Sequence, residues 1–284
     1  MSGHSDDGEP AGPCDPSLPP EQSTAQPSFL EEVLTARRDQ GRKLLVPYLT
    51  GGMDDQWPLA MEAVAAAGAD AVEIGVPFSD PMIDGRTIQE ASRRALARAT
   101  TPEGVLAEIG RRRVEIPTVV MTYYNLVFRA GHHRMAATMA ASGVSGAIIP
   151  DLPLEELQPW SEAATPSGVA TVLLVAPSTP EDRMEAICRR SRGFVYAAGR
   201  MGVTGEQAEL AHGAQEVAAR ALRVSEVPVC VGIGVSTAEQ AVAVCEVADG
   251  VVVGSALVRR LLDGGGPDAA ADFVSELRQA LDRG

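Results

Sequence analysis

Eight short runs of β-branched and other apolar residues recur between residues 44 and 255, separated by Ala-rich amphipathic stretches. They are LLVPYL (44–49), AVEIGV (71–76), IPTVVMTY (116–123), GAIIPD (146–151), ATVLLV (170–175), GFVYAA (193–198), VPVCVGIG (227–234) and GVVVGS (250–255). Runs that are apolar on both faces, each followed by a helical pattern, are typical of parallel strands joined by crossover helices. Eight such units in about 250 residues predict an α/β fold, the closed (β/α)8 TIM barrel.

A doubly wound open sheet is the alternative architecture. Such a sheet usually has fewer strands and a G-x-G-x-x-G fingerprint after the first of them. Here the first run is followed by TGGMDD (50–55), which lacks that fingerprint. The strand count therefore favours the barrel.

The first 28 residues differ in composition from the rest of the chain. They are rich in Pro, Gly, Ser and acidic residues and contain almost nothing that could enter a core. This predicts a disordered tail over residues 1–28 and a single catalytic barrel domain over residues 29–284.

Charge and composition exclude several function classes. The net charge of −14 disfavours nucleic acid as a partner, because phosphate backbones attract basic surfaces. No apolar run approaches the ~20 residues that a bilayer span needs, so no membrane association is expected. The four cysteines show no metal-binding spacing, and the N-terminal residues contain no apolar signal segment. These features indicate free thiols, no metal site and a cytoplasmic protein.

Acidic residues are concentrated at the end of the second run. In a TIM barrel the active site lies at the C-terminal ends of the strands. Glu73 lies late in the run and shares a face with Gly75, so its carboxylate can point into the barrel mouth. Asp84 lies in the following loop. A desolvated Glu has a raised pKa and suits general acid–base catalysis, whereas a more solvated Asp stays ionised and can accept a hydrogen bond from a substrate N–H.

A purely structural explanation of the same acids remains open from the sequence alone. Glu73 could pair with a cation inside the barrel. Asp80 or Asp84 could cap the helix that begins near Thr87.

Glycines follow the last three strands, in the segments GRMGVTGE, GIGVS and GSALV. They allow backbone N–H groups to approach a phosphate. The predicted anion site comprises the amides at Gly202, Gly205, Gly232, Gly234 and Gly254 and the hydroxyl of Ser255. Three of the four tyrosines fall at strand ends and predict an aromatic wall for a flat organic group; they are Tyr48, Tyr123 and Tyr196.

The segments VEIGVPFSDPMIDGRTIQ, MTYYN, PDLPLEE, GVTG, GIGVS and GSALV, in this order, resemble the tryptophan synthase alpha subunit family from about Phe29 to the C-terminus. The resemblance implies retro-aldol cleavage of indole-3-glycerol phosphate to indole and glyceraldehyde 3-phosphate, without a cofactor. It also implies a pyridoxal-phosphate beta subunit as partner, in a heterotetramer of two alpha and two beta subunits.

The resemblance also assigns roles to individual residues. It implies that Glu73 is the catalytic acid and base, that Asp84 holds the indole N–H and that Tyr196 lies beside the glutamate. By the same resemblance Tyr48 and Tyr123 line the indole pocket. The phosphate site would contain Gly205, Gly234, Gly254 and Ser255.

Three positions depart from the family pattern. Arg86 stands where a proline is usual, Met53 where an acid is usual, and Met201 where a serine is usual. Arg86 could bind the Asp84 carboxylate or be an exposed arginine at a helix start. Because these loops would communicate with a beta subunit, two other functions remain open: a stand-alone lyase that releases indole, and a weakly active protein that regulates a beta subunit.

Overall fold

The computed structural model describes residues 26–199, 207–232 and 234–284. Within these ranges, eight parallel strands pair in chain order, and the first also pairs with the last through Leu44 and Gly250. The strands are β1 (Leu44–Thr50), β2 (Val72–Gly75), β3 (Thr118–Met121), β4 (Val144–Ile148), β5 (Ala170–Val175), β6 (Val195–Ala198), β7 (Val229–Gly232) and β8 (Gly250–Val253). The predicted (β/α)8 barrel is confirmed, and the open sheet is excluded.

Helices cover the outside of the barrel, and one of them closes its lower end, the end at which the strands begin. They are α1 (Phe29–Asp39), α2 (Trp57–Ala66), α3 (Arg86–Ala97), α4 (Pro102–Arg111), α5 (Tyr124–Ala130), α6 (His132–Ala141), α7 (Gln158–Ala164), α8 (Glu181–Arg190), α9 (Gln207–Leu222), α10 (Ala238–Cys245), α11 (Ser255–Leu262) and α12 (Gly266–Leu281). In the described ranges, none is both long and apolar enough to cross a membrane.

Each predicted run overlaps an observed strand, and the largest shift in position is at β4. This strand begins at Val144 and ends at Ile148, whereas the sequence pattern predicts 146–151. Pro150 has no N–H to donate to a neighbouring strand, so the pairing stops before it. The Asp151 carboxylate instead accepts a hydrogen bond from Tyr124 N at 2.8 Å.

The barrel interior is a separate hydrophobic core, closed from below by α1. Leu30 and Leu34 of this helix pack against inward-facing strand residues. A Cβ atom on Gly146 or Gly193 would lie 2.5 Å from Leu30 Cδ2, so glycine at these two positions makes room for the helix. Ser28 caps α1 and exchanges hydrogen bonds with Glu31.

The predicted tail falls mainly on residues 1–25, which lie outside the described ranges. Its last residues contact the barrel: Ser28 is buried, and Arg192 donates a hydrogen bond to Gln26 O at 3.2 Å. The boundary of the domain at residue 29 stays a prediction. Three cysteines of the described part are free and buried, as expected: Cys188, Cys230 and Cys245.

A buried ionic network lies at the lower end of the barrel and was not predicted from the sequence. Asp70, just before β2, is completely buried. Its carboxylate accepts hydrogen bonds from Arg37 and Arg42 at 2.7 Å, from Leu45 N at 2.8 Å and from Arg278 at 3.1 Å. The network therefore connects α1 and α12 to the barrel, at the end opposite the strand termini that carry the candidate site.

Candidate active site

Glu73 lies inside the barrel, where strand pairing places it between Tyr48 of β1 and Val119 of β3. Its side chain is 1% exposed, and its Oε2 atom has no hydrogen-bond partner in the described ranges. Burial, followed by the negative charge of Asp84, raises the Glu73 pKa to about 8. Glu73 is therefore mostly protonated at neutral pH and can donate a proton. No cation of the described part pairs with it, which excludes the proposed cation pairing there.

Asp84 is half-buried in the loop between β2 and α3. Burial raises its pKa, and a hydrogen bond from the Tyr123 hydroxyl to Oδ2 at 3.3 Å opposes that rise. The side chain does not cap α3, because the N-cap residue is Gly85 and makes no side-chain hydrogen bond. Asp80 does not cap it either; its Oδ2 accepts a hydrogen bond from Ser79 Oγ at 2.5 Å. The Asp84 carboxylate thus remains available for a ligand.

Tyr123 connects the end of β3 to the Asp84 loop. Its hydroxyl accepts hydrogen bonds from Met82 N at 3.1 Å and Ile83 N at 3.4 Å while donating to Asp84. Its ring stacks on Phe78, with centroids 4.7 Å apart. Burial, helped by the Asp84 charge, raises the Tyr123 pKa to about 12, so the phenol remains a donor. Besides its predicted place in an aromatic wall, Tyr123 therefore fixes the loop that carries Asp84.

Tyr48 and Tyr196 face the barrel interior near Glu73. Burial raises the pKa of both phenols well above the usual value, and the charges of Glu73 and Asp84 add to this effect. Each ring lies against a glycine of the neighbouring strand. A Cβ atom on Gly75 would lie 2.0 Å from the Tyr48 hydroxyl, and one on Gly232 would lie 2.2 Å from that of Tyr196. Glycine at these positions leaves room for the two phenols.

The predicted phosphate site is only partly within the described ranges, since Gly202, Gly205 and Met201 lie outside them. Gly254 is the N-cap residue of α11, and the exposed Ser255 is the first residue of that helix. The first amides of a helix have no acceptor within it and can bind an anion. Gly234 is exposed after β7, with no atom within 4 Å of an added Cβ. These residues lie at the C-terminal ends of β7 and β8, as predicted.

Two residues near the site escaped sequence reasoning. Thr50 is completely buried and donates a hydrogen bond to the Tyr48 hydroxyl at 3.4 Å. Phe78 supports Tyr123 through the ring stack. Only the spacing of Thr50, two residues after Tyr48 on one strand face, could have indicated its place. In the described ranges, no three His, Cys, Asp or Glu side chains converge in a way that could hold a metal ion.

Two of the three departures from the family pattern lie in the described ranges, one in the hydrophobic core and one at an exposed helix start. Met53 is buried in the core between strands and helices. Arg86 is the exposed first residue of α3, and within the described ranges it forms no ion pair with Asp84. The exposed helix-start arginine, one of the two interpretations above, is the one that the structure contains.

We expect Arg86→Pro to leave the pH–rate profile of the isolated chain unchanged. The first helical position tolerates proline well, and no Asp84 ion pair would be lost. The profile and the free energy of unfolding should both be measured, with Arg93→Gln on the exposed face of α3 as a control. A shift of the acidic limb to higher pH would instead show that Arg86 stabilises ionised Asp84 in solution.

Known proteins match this chain over nearly its whole described length. The sequence model of the family described as tryptophan synthase alpha chain matches residues 34–281. The tryptophan synthase alpha chains of Halorhodospira halophila and Picosynechococcus sp. are 44% and 42% identical; each match covers 89% of this chain, and 94% and 98% of the relative, respectively.

Solved structures agree with this match. A Mycobacterium tuberculosis tryptophan synthase chain superposes with a TM-score of 0.82 at 38% identity, covering 90% of this chain and 99% of that one. Tryptophan synthase subunit alpha from Legionella pneumophila gives a TM-score of 0.79 at 31% identity, covering 91% and 100%. The chain therefore belongs to the tryptophan synthase alpha chain family.

Proposed function

We propose that Glu73 and Asp84 of this chain carry out the retro-aldol cleavage of indole-3-glycerol phosphate to indole and glyceraldehyde 3-phosphate. The chain is a carbon–carbon lyase of tryptophan biosynthesis, by its family. The observation that best supports the assignment of residues is the buried Glu73 carboxyl, with a pKa raised to about 8 and an unpartnered oxygen, beside a second acid.

The proposed chemistry needs two proton transfers. Protonated Glu73 gives its proton to C3 of the indole ring, which places a positive charge on the ring nitrogen. The Asp84 carboxylate accepts the N–H hydrogen bond and stabilises that charge. Ionised Glu73 then removes the proton of the hydroxyl on the carbon attached to C3. The carbonyl of glyceraldehyde 3-phosphate forms as the carbon–carbon bond breaks. The electron pair of the broken bond returns to the ring, which neutralises the positive charge and yields indole.

The remaining predicted site residues have binding roles in this proposal. Tyr48, Tyr123 and Tyr196 bound the space around the two acids, where the indole ring would lie. The amides after β7 and β8, at Gly234, Gly254 and Ser255, would bind the phosphate, together with Gly205. Side chains and backbone amides supply every proposed step, without a metal or an organic cofactor.

A tryptophan synthase beta subunit is the proposed partner, in a heterotetramer of two alpha and two beta subunits. Met82 is a large apolar side chain that is 82% exposed in the Asp84 loop. An exposed apolar side chain beside the site could be covered by a protein partner. We infer a cytoplasmic location, which the three free thiols of the described part support. The charge of −14 disfavours nucleic acid as a partner.

Indole release from indole-3-glycerol phosphate tests this function. The purified chain should release indole alone, and a beta subunit should accelerate release by ~10-fold or more. Equal rates with and without the beta subunit would favour a stand-alone lyase. No indole under either condition would favour a regulatory protein, the other function left open by the sequence.

Asp84→Asn should lower kcat/KM for this cleavage by ~100-fold or more, because the amide keeps the shape of the carboxylate and loses its charge. Asp80→Asn in the same loop is the matched control, because its exposed carboxylate bonds only Ser79 among the described residues. In the isolated chain it should change kcat/KM less than ~3-fold. Similar losses in the two variants would mean that loop structure, rather than the Asp84 charge, supports activity.

A further inference from the structure

Two buried hydroxyl groups on β1 lie beside Glu73 and take no part in the chemistry proposed above. They belong to Tyr48 and Thr50, which share the inward face of the strand. Tyr48 is the strand-pairing partner of Glu73, and Thr50 is that of Gly75. The two hydroxyls therefore stand next to the catalytic acid, at the end of the barrel where the substrate would enter.

The Tyr48 phenol occupies the space that a side chain at position 75 would fill, because its oxygen lies 2.0 Å from the Cβ position there. Gly75 follows Glu73 by two residues on the same face of β2, a rise of about 7 Å. A tyrosine hydroxyl and a carboxylate are thus brought to the same short stretch of the barrel wall.

Among the residues that the structure describes, the Tyr48 phenol lacks an acceptor, and the Glu73 carboxyl lacks a donor. Thr50 donates to the phenol oxygen at 3.4 Å, so that oxygen acts as an acceptor. Within the described ranges, the phenol proton is donated to no residue, and Glu73 Oε2 receives no donor. A buried donor and a buried acceptor without partners each cost stability, and a small movement that joins them would remove both costs.

We propose that Tyr48 is a positioning residue for Glu73: its phenol, oriented by Thr50, donates a hydrogen bond to the Glu73 carboxylate when proton transfer leaves it ionised. The inference rests on the proposed acid–base role of Glu73. The other titratable groups that act on this site are Asp84, Tyr123 and Tyr196, and Cys230 acts on Tyr196. All of them are acids, thiols or phenols, and none is a cation. An ionised Glu73 therefore needs a neutral donor, which Tyr48 can be because burial keeps its phenol protonated.

The test is the pKa of Glu73 in the full chain without substrate. Infrared titration would follow the carboxyl C=O band, which Glu73→Gln identifies by its loss. Tyr48→Phe should raise the Glu73 pKa by about 1 or more above the value measured in the wild-type chain, since a donor to the ionised form is lost. Thr50→Val should raise it less. Thr122→Val is the matched control and should leave it unchanged, because this buried hydroxyl at the end of β3 has no partner among the described residues.

Site-specific 3-fluorotyrosine at position 48 separates a hydrogen bond from a change of polarity. The fluorinated phenol is a stronger donor, so it should lower the Glu73 pKa, whereas phenylalanine raises it. An unchanged pKa in Tyr48→Phe, or a rise with 3-fluorotyrosine, would overturn the proposal. Because no substrate is present, the outcome does not depend on whether the chain cleaves indole-3-glycerol phosphate.

Discussion

Glu73→Gln is expected to lower kcat for cleavage of indole-3-glycerol phosphate by ~10²–10⁴-fold, with KM changed only a few-fold. Glutamine keeps the size of the side chain and part of its hydrogen-bonding capacity, but it cannot transfer a proton. Both proposed proton transfers pass through this carboxyl. Steady-state indole release by the two proteins gives the comparison. Near-normal turnover by the variant would mean that Glu73 is a structural residue.

A loss of folding must be excluded as the cause of the lower kcat of Glu73→Gln. The pH dependence of the free energy of unfolding provides the control. The Glu73 pKa is raised to about 8 in the folded chain, against an ordinary value of 4.5. Its stabilising contribution is therefore complete below about pH 4.5 and is lost as the pH rises through about 8. Glutamine does not titrate, so the variant should lack this part of the pH dependence and remain folded near pH 8. Glu90→Gln, on α3, should retain activity and the wild-type dependence of stability between about pH 4.5 and 8, because Arg93 and Arg94 lower the Glu90 pKa to about 2.

Asp70→Asn should lower the free energy of unfolding by ~3–5 kcal/mol. Among the described residues, Asp70 is the one acid that pairs with all three arginines, and Arg278 among them is itself buried. Arg42 and Arg278 also pair with Asp282, which is half exposed. Urea denaturation measures the change. Asp39→Asn is the control, because it breaks only an exposed pair with Arg38 and should cost less than ~1 kcal/mol. A loss below about 1 kcal/mol for Asp70→Asn would show that the arginines find other partners or water.

The barrel could be predicted because its strands are short, apolar on both faces and evenly separated by helices. This pattern follows from burial and needs no knowledge of loop geometry. The ends of the strands were less predictable where a proline interrupts an apolar run, as at Pro150 after β4. The ionic network escaped prediction for a different reason. Asp70 stands in GADAVEIG like an ordinary turn residue, and its arginine partners come from distant parts of the chain.

The position of Glu73 in the barrel mouth was predictable from the two-residue period of its strand. Its raised pKa was likewise expected from desolvation in the barrel mouth. Its missing hydrogen-bond partner within the described part was not, because that depends on what other strands place around it. The role of Tyr123 shows the same limit. Its location at the end of β3 predicts a pocket wall, but its hydrogen bonds to the Asp84 loop depend on how that loop folds back. Likewise, only the structure separates the two interpretations of Arg86.

The most direct test of the account is a side-by-side assay of the wild-type chain and Glu73→Gln, with both products of indole-3-glycerol phosphate measured. We expect the wild-type chain to release indole and glyceraldehyde 3-phosphate in equal amounts, and the folded variant to release both at least ~100-fold more slowly. Equal rates for the two proteins, or no indole from the wild-type chain with or without a beta subunit, would contradict it.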